Sequence, residues 1–555
     1  MSDQKTGISR RQFLEKTLSA SAAAAAASVF PLTVSGCSDS SLPFDTVIKQ
    51  ATVFDGIHPD PVVADIGIKG DRIAFIGAID LPAGQVIHAK GLAVVPGFID
   101  VHTHCDLTFI KTGWKRHLAA FMPSWKGNYN YLGQGVTTVV TGNCGWGYGS
   151  IDQWYDITRQ VGFGTNVCHL APHGVIREEL FGENQPKELS RAQMDRFKKR
   201  IQEELDKGAI GLSTGLEYAP GLLAPTSELI ELCEVVAQYG RIYATHIRDE
   251  SGAVDPETGL PGVRKAIEEA IEVGRRAGVG VEISHLKIDA PVSGHDAALV
   301  LAPIERARAE GLAITADQYP YAAGSTIISI LLPDALRSPG GVRDEFRTRE
   351  GLGQVRKEIE KVFRYLPPDK ILITMCPENE GFEGKTLEQI AGLENKSPAE
   401  TYAGLVSAPA APVGVFFGQD MAVVRGIMAN DYILTGSDGW TVPKGMTKPH
   451  PRTYGTFARK LGTYWREEKL VDLFTCLRSM TALPAQTFGI KDRGRIETGC
   501  FADLAVIDLD RVGDKATYLS PHQYASGIVH LMVNGEVSIR NGVFTGDRGG
   551  RNLRA

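Results

Sequence analysis

Lys207-Gly208-Ala209-Ile210-Gly211-Leu212-Ser213 is the stretch whose reading decides the fold. Upstream of it, Ser190 to Lys207 spaces its apolar residues as an amphipathic helix, with Ser190 as the N-cap. Gly208 ends the helix, and Ala209 to Ser213 is short and apolar enough to be a buried strand. The unit then recurs. A helix ending near Tyr239 is followed by Gly240 and a strand from Arg241 to Thr245. Helices from about Gly262 to Ala277 and from about Asp296 to Glu310 are stopped by Gly278 and Gly311. They lead into strands Val279 to Ser284 and Leu312 to Ala316. Further strands near 94–101, 136–141, 165–170 and 432–436 bring the total to eight. Parallel strands with helical crossovers in this number predict an α/β fold, a (β/α)8 TIM-type barrel. The long interval of about 330–430 is read as an inserted segment before the last barrel strand, covering part of the mouth.

Working outward, residues 45–95 and 490–545 carry short strands and turns, such as Arg72-Ile73-Ala74-Phe75-Ile76 and Asn534-Gly535. The two ends are expected to form one small β-sandwich beside a barrel spanning 96–489. A formal charge of -6 and the absence of a basic stripe exclude a nucleic-acid partner. Eight cysteines without a CxxC pair fit neither a disulfide scaffold nor a zinc ribbon.

Residues 1–37 read as an address. Ser9-Arg10-Arg11-Gln12-Phe13-Leu14 is a twin-arginine signal, an alanine-rich stretch follows, and Val34-Ser35-Gly36-Cys37 resembles a lipoprotein cleavage box. Cys37 would then be lipidated and residues 38–44 would be a tether. The expected location is periplasmic or cell-surface, with a lipid anchor on a membrane and the body in water.

Barrel active sites sit at the carboxyl ends of the strands. The first strand ends in His102-Thr103-His104, whose period of two turns both imidazoles the same way. His246 and His285 end the fifth and sixth strands, and Asp438 ends the eighth. Four histidines and an aspartate in these places predict a transition-metal site. The set resembles the amidohydrolase superfamily, many of whose members bridge two metals with a carboxylated lysine ending strand four. Here strand four runs into Thr214-Gly215, and Lys207 lies at its opposite end. Cys144, just after strand two, is the candidate bridge, with a small buried apolar role as the alternative.

Across roughly residues 45–555 the sequence resembles the N-acyl-D-amino-acid deacylase (D-aminoacylase) family. The motifs that carry the likeness include Pro96 to His104, Gly142-Asn143-Cys144-Gly145 and Ser213-Thr214-Gly215-Leu216-Glu217-Tyr218. Thr245-His246-Ile247-Arg248, Ile283-Ser284-His285-Leu286-Lys287, Asp317-Gln318-Tyr319-Pro320-Tyr321, Ser437-Asp438-Gly439 and His450-Pro451-Arg452 continue it. The resemblance implies one tight zinc on Cys144, His246 and His285, and a second, weaker position on His102, His104 and Asp438. It implies a substrate-carboxylate site of Tyr218, Lys287 and Arg452, and zinc-dependent hydrolysis of N-acyl-D-amino acids with Asp438 as base and acid. His173 and Arg177 are placed near the mouth, and Trp146, Trp440 and Tyr321 are candidates for an apolar wall. A D-dipeptidase or cyclic-amide hydrolase on the same scaffold is the alternative enzyme. A non-catalytic solute-binding lipoprotein is the remote alternative.

Overall fold

The computed structural model describes residues 42–107, 127–182, 185–256, 258–291, 294–338, 341–442 and 444–555. The twin-arginine segment, Cys37 and residues 38–41 of the tether lie outside the described residues. Among those described, no helix is long and apolar enough to cross a membrane.

The architecture is α/β. Strands Phe98–Asp100, Val136–Thr141 and Asn166–His169 make a three-stranded parallel sheet. Ala171–Pro172, Gly211–Gly215, Ile242–His246, Gly280–Ile283, Ile314–Gln318 and Ile433–Thr435 follow one another in a six-stranded parallel sheet. The two sheets meet at both edges. Leu170 alone separates Asn166–His169 from Ala171–Pro172, and a parallel bridge joins Thr103 to Gly439. At that second edge His104 N donates to Gly439 O at 2.8 Å and Asp438 N donates to His102 O at 2.8 Å. The ladder is not continuous through either junction, so the sheets do not form one closed ladder.

The helix–glycine–strand units form as their sequence dictates. Ser190 caps helix Arg191–Asp206 through a capping box with Gln193. Gly278 caps helix Gly262–Ala277 at φ +68°, a conformation that a Cβ disfavours. The helices pack their apolar faces on the outside of the parallel strands. Ile99, Val140, Leu170, Ile210, Ile242 and Leu434 make a separate cluster with Leu483 and Phe488.

Between Gln318 and Ile433 the chain builds a smaller body. Strands Gly324–Ile327, Ile371–Met375 and Val413–Phe416 form an antiparallel sheet. Helices Arg349–Val362, Leu387–Glu394 and Pro398–Val406 bury their own core around Ile359, Ile373 and Tyr402. The excursion thus starts at Gly324, slightly ahead of the expected 330.

Both ends of the chain share a nine-stranded mixed sheet, with Leu504–Ile507 paired to Ala93–Pro96 and Phe44–Val53 beyond it. Phe44–Val53 also pairs with Ala83–His88, so the sheet branches there. A buried polar network ties this sheet to the parallel strands. Asp503 pairs with Arg493, accepts from Asn166 Nδ2 at 3.0 Å and accepts from the Asn534 backbone N–H at 2.7 Å. Arg493 also donates to Asn534 Oδ1 at 2.7 Å and stacks on Phe501. Asp503→Ala leaves the Arg493 guanidinium buried without its counter-charge. It is expected to destabilise the fold by about 3–5 kcal/mol, read from the shift of a urea-unfolding midpoint.

Candidate metal centre

The six metal-type residues predicted from sequence converge at the carboxyl ends of the parallel strands. His102 and His104 follow Phe98–Asp100, and His246 is the last residue of its strand. Cys144 sits in the short turn Asn143–Gly145 after Val136–Thr141. His285 and Asp438 lie just beyond Gly280–Ile283 and Ile433–Thr435. Cys144 Sγ is 3.3 Å from His102 Nε2 and 3.6 Å from His285 Nε2. Asp438 Oδ1 is 3.2 Å from His104 Nε2 and 3.8 Å from His102 Nε2. The His246 and His285 rings stand perpendicular with centroids 4.5 Å apart. All six residues are buried.

Local backbone geometry is bent to achieve this. Cys144, His285 and Asp438 have φ of 55°, 38° and 48°, in the left-handed region. Such conformations cost about 1–3 kcal/mol each and persist only where surrounding structure imposes them. Close approach explains the motif glycine Gly215 and also Gly436, which directly precedes Ser437. A Cβ on Gly215 would meet Cys144 O at 2.1 Å, and one on Gly436 would meet Asp317 Oδ1 at 2.3 Å and His102 Cβ at 2.8 Å.

Three carboxylates that the sequence reading did not select hold the imidazoles in place. Asp317 Oδ2 is 3.0 Å from His102 Nδ1, and Glu250 Oε1 is 3.0 Å from His285 Nδ1. Glu217 Oε2 is 3.0 Å from His246 Nε2. Each acid engages one ring nitrogen and fixes the ring orientation. On His102 and His285 the other nitrogen faces the Cys144 sulfur; on His246 it is Nδ1, which has no hydrogen-bond partner. Carboxylate–histidine pairs of this kind are the usual support of a metal ligand.

Burial alone would raise the Cys144 thiol, but the facing His102 and His285 imidazoles outweigh it and hold the thiol well below its usual range. Burial likewise opposes ionisation of Asp438. Arg452 and His104 overcome it and keep this carboxyl well below the usual carboxylate range. Burial would lower His246 and His104, yet Glu250 and Cys144 push His246 to about 10, and Asp438 and Cys144 push His104 to about 9. The centre therefore pairs ionised sulfur and oxygen donors with imidazoles. Among the described residues, His104 Nδ1 and His246 Nδ1 are buried without a hydrogen-bond partner. Sulfur, nitrogen and oxygen donors in this number, with orphaned ring nitrogens, fit a divalent transition metal. Three ligand triads have all their donor atoms within 4.8 Å: His102–Cys144–His285, His102–His104–Asp438 and His246–Glu250–His285.

The predicted carboxylate-binding residues border the same cleft. A cavity of about 190 Å³ is lined by Tyr218, Lys287 and Arg452 together with His246, His285 and Asp438. Lys287 Nζ is held by Glu250 at 2.6 Å. Arg452 stacks its guanidinium 4.6 Å over the Tyr319 ring and donates to Ser325 O at 3.2 Å. Its Nη1 stands 2.9 Å from Asp438 Oδ2 as an ion pair, yet the alignment leaves Nη1 without a hydrogen bond. That nitrogen is a spare buried donor beside the metal-type residues. A neighbouring cavity of about 480 Å³ is walled by Trp146, Leu222, Ile327 and Ile330. Trp440 faces the cleft as well, whereas Tyr321 packs against His450. His173 and Arg177 do not reach the mouth. Both are fully buried on Glu228, at 2.9 Å each, and serve as an internal polar cluster.

Metal-type ligands and an ionised acid at the carboxyl ends of parallel strands define a metal-dependent hydrolase. Residues 371–539 match the sequence profile described as Amidohydrolase family. The N-acyl-D-glutamate deacylase of Alcaligenes xylosoxydans xylosoxydans is 34% identical over 517 residues, which cover 88% of this chain and 93% of that one. A crystal structure of the N-acyl-D-glutamate deacylase of Bordetella bronchiseptica, complexed with zinc and a phosphonate inhibitor, is similar with a TM-score of 0.76. It is 30% identical and covers 92% of this chain and 100% of its own. A D-aminoacylase with a binuclear metal centre matches with a TM-score of 0.75 at 30% identity over the same shares. The chain belongs to the N-acyl-D-amino-acid deacylase (D-aminoacylase) family of the amidohydrolases.

Glu250 touches both His285, at 3.0 Å, and Lys287, at 2.6 Å. Glu250→Gln removes the negative end of both contacts. It is expected to weaken metal binding about 10–100-fold, measured by chelator competition. Unchanged affinity would contradict its role in holding the ligands.

Proposed function

We propose that this chain hydrolyses the amide bond of N-acyl-D-amino acids, releasing a carboxylic acid and a free D-amino acid, with zinc as its metal. The observation that carries this reading is Asp438, ionised and held between His104 and the half-engaged Arg452 at the head of the cleft. Cys144, His246 and His285 would hold the tighter zinc, and His102, His104 and Asp438 a second, weaker one. When bound, zinc supplies Lewis acidity, which brings the pKa of water to about 7 and polarises a carbonyl. Asp438 accepts the proton of the attacking water and returns it to the departing amine nitrogen. A carboxylate suits both tasks because it cycles between base and acid within one turnover. Arg452 offers its spare Nη1 donor to the substrate carboxylate, with Lys287 and Tyr218 beside it. Preference for the D-series is supported by the names of the relatives.

The same reading extends to architecture and location. The two parallel sheets are taken as one (β/α)8 barrel spanning 96–489, since they meet at Leu170 and at the Thr103–Gly439 bridge. The branched terminal sheet is taken as a β-sandwich of 45–95 and 490–545. Residues 1–37 would direct twin-arginine export, and Cys37 would anchor the enzyme to a membrane surface through the tether 38–44.

Asp438→Asn keeps the side-chain shape and removes the proton acceptor. It is expected to lower kcat on N-acetyl-D-methionine by about 10²–10⁴-fold while zinc stays bound on Cys144, His246 and His285. Wild-type turnover in this variant would remove Asp438 from its role.

A further inference from the structure

The 190 Å³ cavity has an uneven charge lining that the reaction itself does not require. Its two permanent cations are already matched by the chain's own acids, Lys287 by Glu250 at 2.6 Å and Arg452 by Asp438 at 2.9 Å. Two further carboxylates line it, Glu217 and Asp289, and no third lysine or arginine does. Glu217 is engaged with His246. Asp289 is not within ion-pair distance of any cation among the described residues. It sits four residues past His285, where its backbone N–H donates to Glu250 O at 2.8 Å and its carbonyl accepts from Gly252 N at 3.0 Å. Both contacts fix its position on the wall.

Opposite it, Gly324 leaves a small polar space. A Cβ placed on Gly324 would lie 3.9 Å from Asp289 Oδ2, 3.7 Å from Gln419 Nε2 and 3.7 Å from the Tyr319 hydroxyl. Gln419 Nε2 in turn donates to that hydroxyl at 3.2 Å. Ile330, Leu366 and Phe416 give the cavity apolar walls. Burial pushes the Asp289 carboxyl up to about 6, against the pull of Lys287 and a hydrogen bond from Gln419, which leaves it largely ionised at neutral pH with further acceptor capacity.

A substrate of the proposed class already brings one carboxylate, for which Arg452 Nη1 is the spare donor. A second carboxylate, on the substrate's side chain, would face Asp289 and Glu217 with no unmatched cation to receive it. Like charges at such range in a poorly solvated cleft repel strongly. A side chain ending in N–H groups would instead donate to Asp289.

We propose that the wall formed by Asp289 and Tyr319, backed by Gln419, is a side-chain subsite that selects N-acyl-D-amino acids ending in N–H donors, amide or cationic, and rejects those ending in a carboxylate. This inference rests on the proposed deacylase activity and names its substrate class. It sets the chain apart from its 34% identical relative, which is named for D-glutamate.

N-acetyl-D-glutamine and N-acetyl-D-glutamate test it, because they match in shape and differ in side-chain charge. The ratio of their kcat/KM values is internal to each preparation, so partial loss of folded enzyme does not alter it. The wild-type zinc enzyme is expected to favour glutamine by at least about 30-fold, equivalent to about 2 kcal/mol. Asp289→Asn should shrink that ratio at least tenfold, and Asp289→Glu, which keeps the charge, should preserve its direction. A wild-type preference for glutamate, or a ratio that Asp289→Asn leaves unchanged, overturns the subsite. Hydrolysis of N-acetyl-D-methionine without hydrolysis of the glutamine substrate also overturns it and leaves the deacylase reading standing. No release from any of the three overturns both.

Discussion

A buried cysteine sulfur lies 3.3 and 3.6 Å from two imidazole nitrogens at the floor of the cleft, and the residues around it are arranged to hold that contact. A buried thiol ordinarily stays protonated, because burial penalises the charged form. Here the facing rings reverse the preference, and those rings are fixed from behind by Asp317 and Glu250. The backbone bends into the left-handed region at Cys144, His285 and Asp438 to bring the donors together. Glycines 215 and 436 give way where any side chain would collide. Strain of several kcal/mol is tolerable because the scaffold beneath is well packed. The apolar cluster of Ile99, Val140, Leu170, Ile210, Leu434 and Phe488 is segregated from the polar centre.

The division between what the sequence revealed and what it concealed follows the same physics. Strands and helices were legible because each unit carries its own punctuation: a Ser190 cap, an amphipathic run, a glycine, a short apolar stretch. The metal-type residues were legible because four imidazoles and an aspartate recur at the carboxyl ends of the strands, and Cys144 because strand four lacks a lysine at its end and the Gly142–Gly145 motif offers a substitute. Glu250, Glu217 and Asp317 were not selected, although all three lie in or beside motifs that were. An acidic residue just past a strand looks like a solvated loop charge until the crossing of neighbouring strands shows which histidine it meets. Asp317 had a weak signal, since it falls on a strand whose surroundings are apolar, and a strand carboxylate of that kind needs a partner. His173 and Arg177 erred in the opposite direction. Their types suggested chemistry, and their partner Glu228 lies 55 and 51 residues further along the chain, beyond the reach of any local pattern.

The excursion from Gly324 to Phe416 divides its labour. Its core of Ile359, Ile373 and Tyr402 is self-contained, which lets the segment hold a shape of its own. Its strand Gly324–Ile327 and the loop that leaves the excursion after Phe416, which holds Gln419, present polar groups beside the cleft, and Ser325 O accepts from Arg452. The reacting groups thus belong to the parallel strands, while the wall that meets a substrate's side chain is shared with the excursion. Asp289 and Tyr319 follow the parallel strands and Gln419 follows the excursion, so the selective wall is built where the two parts meet.

The most direct test of a zinc-centred D-deacylase is one preparation of residues 38–555 in which zinc content and release of free amino acid from paired N-acetyl-D- and N-acetyl-L-methionine are measured together. Stoichiometric zinc, with release confined to the D-substrate and lost on chelation, is the predicted result. Full activity in zinc-free protein, or equal release from both enantiomers, would contradict it.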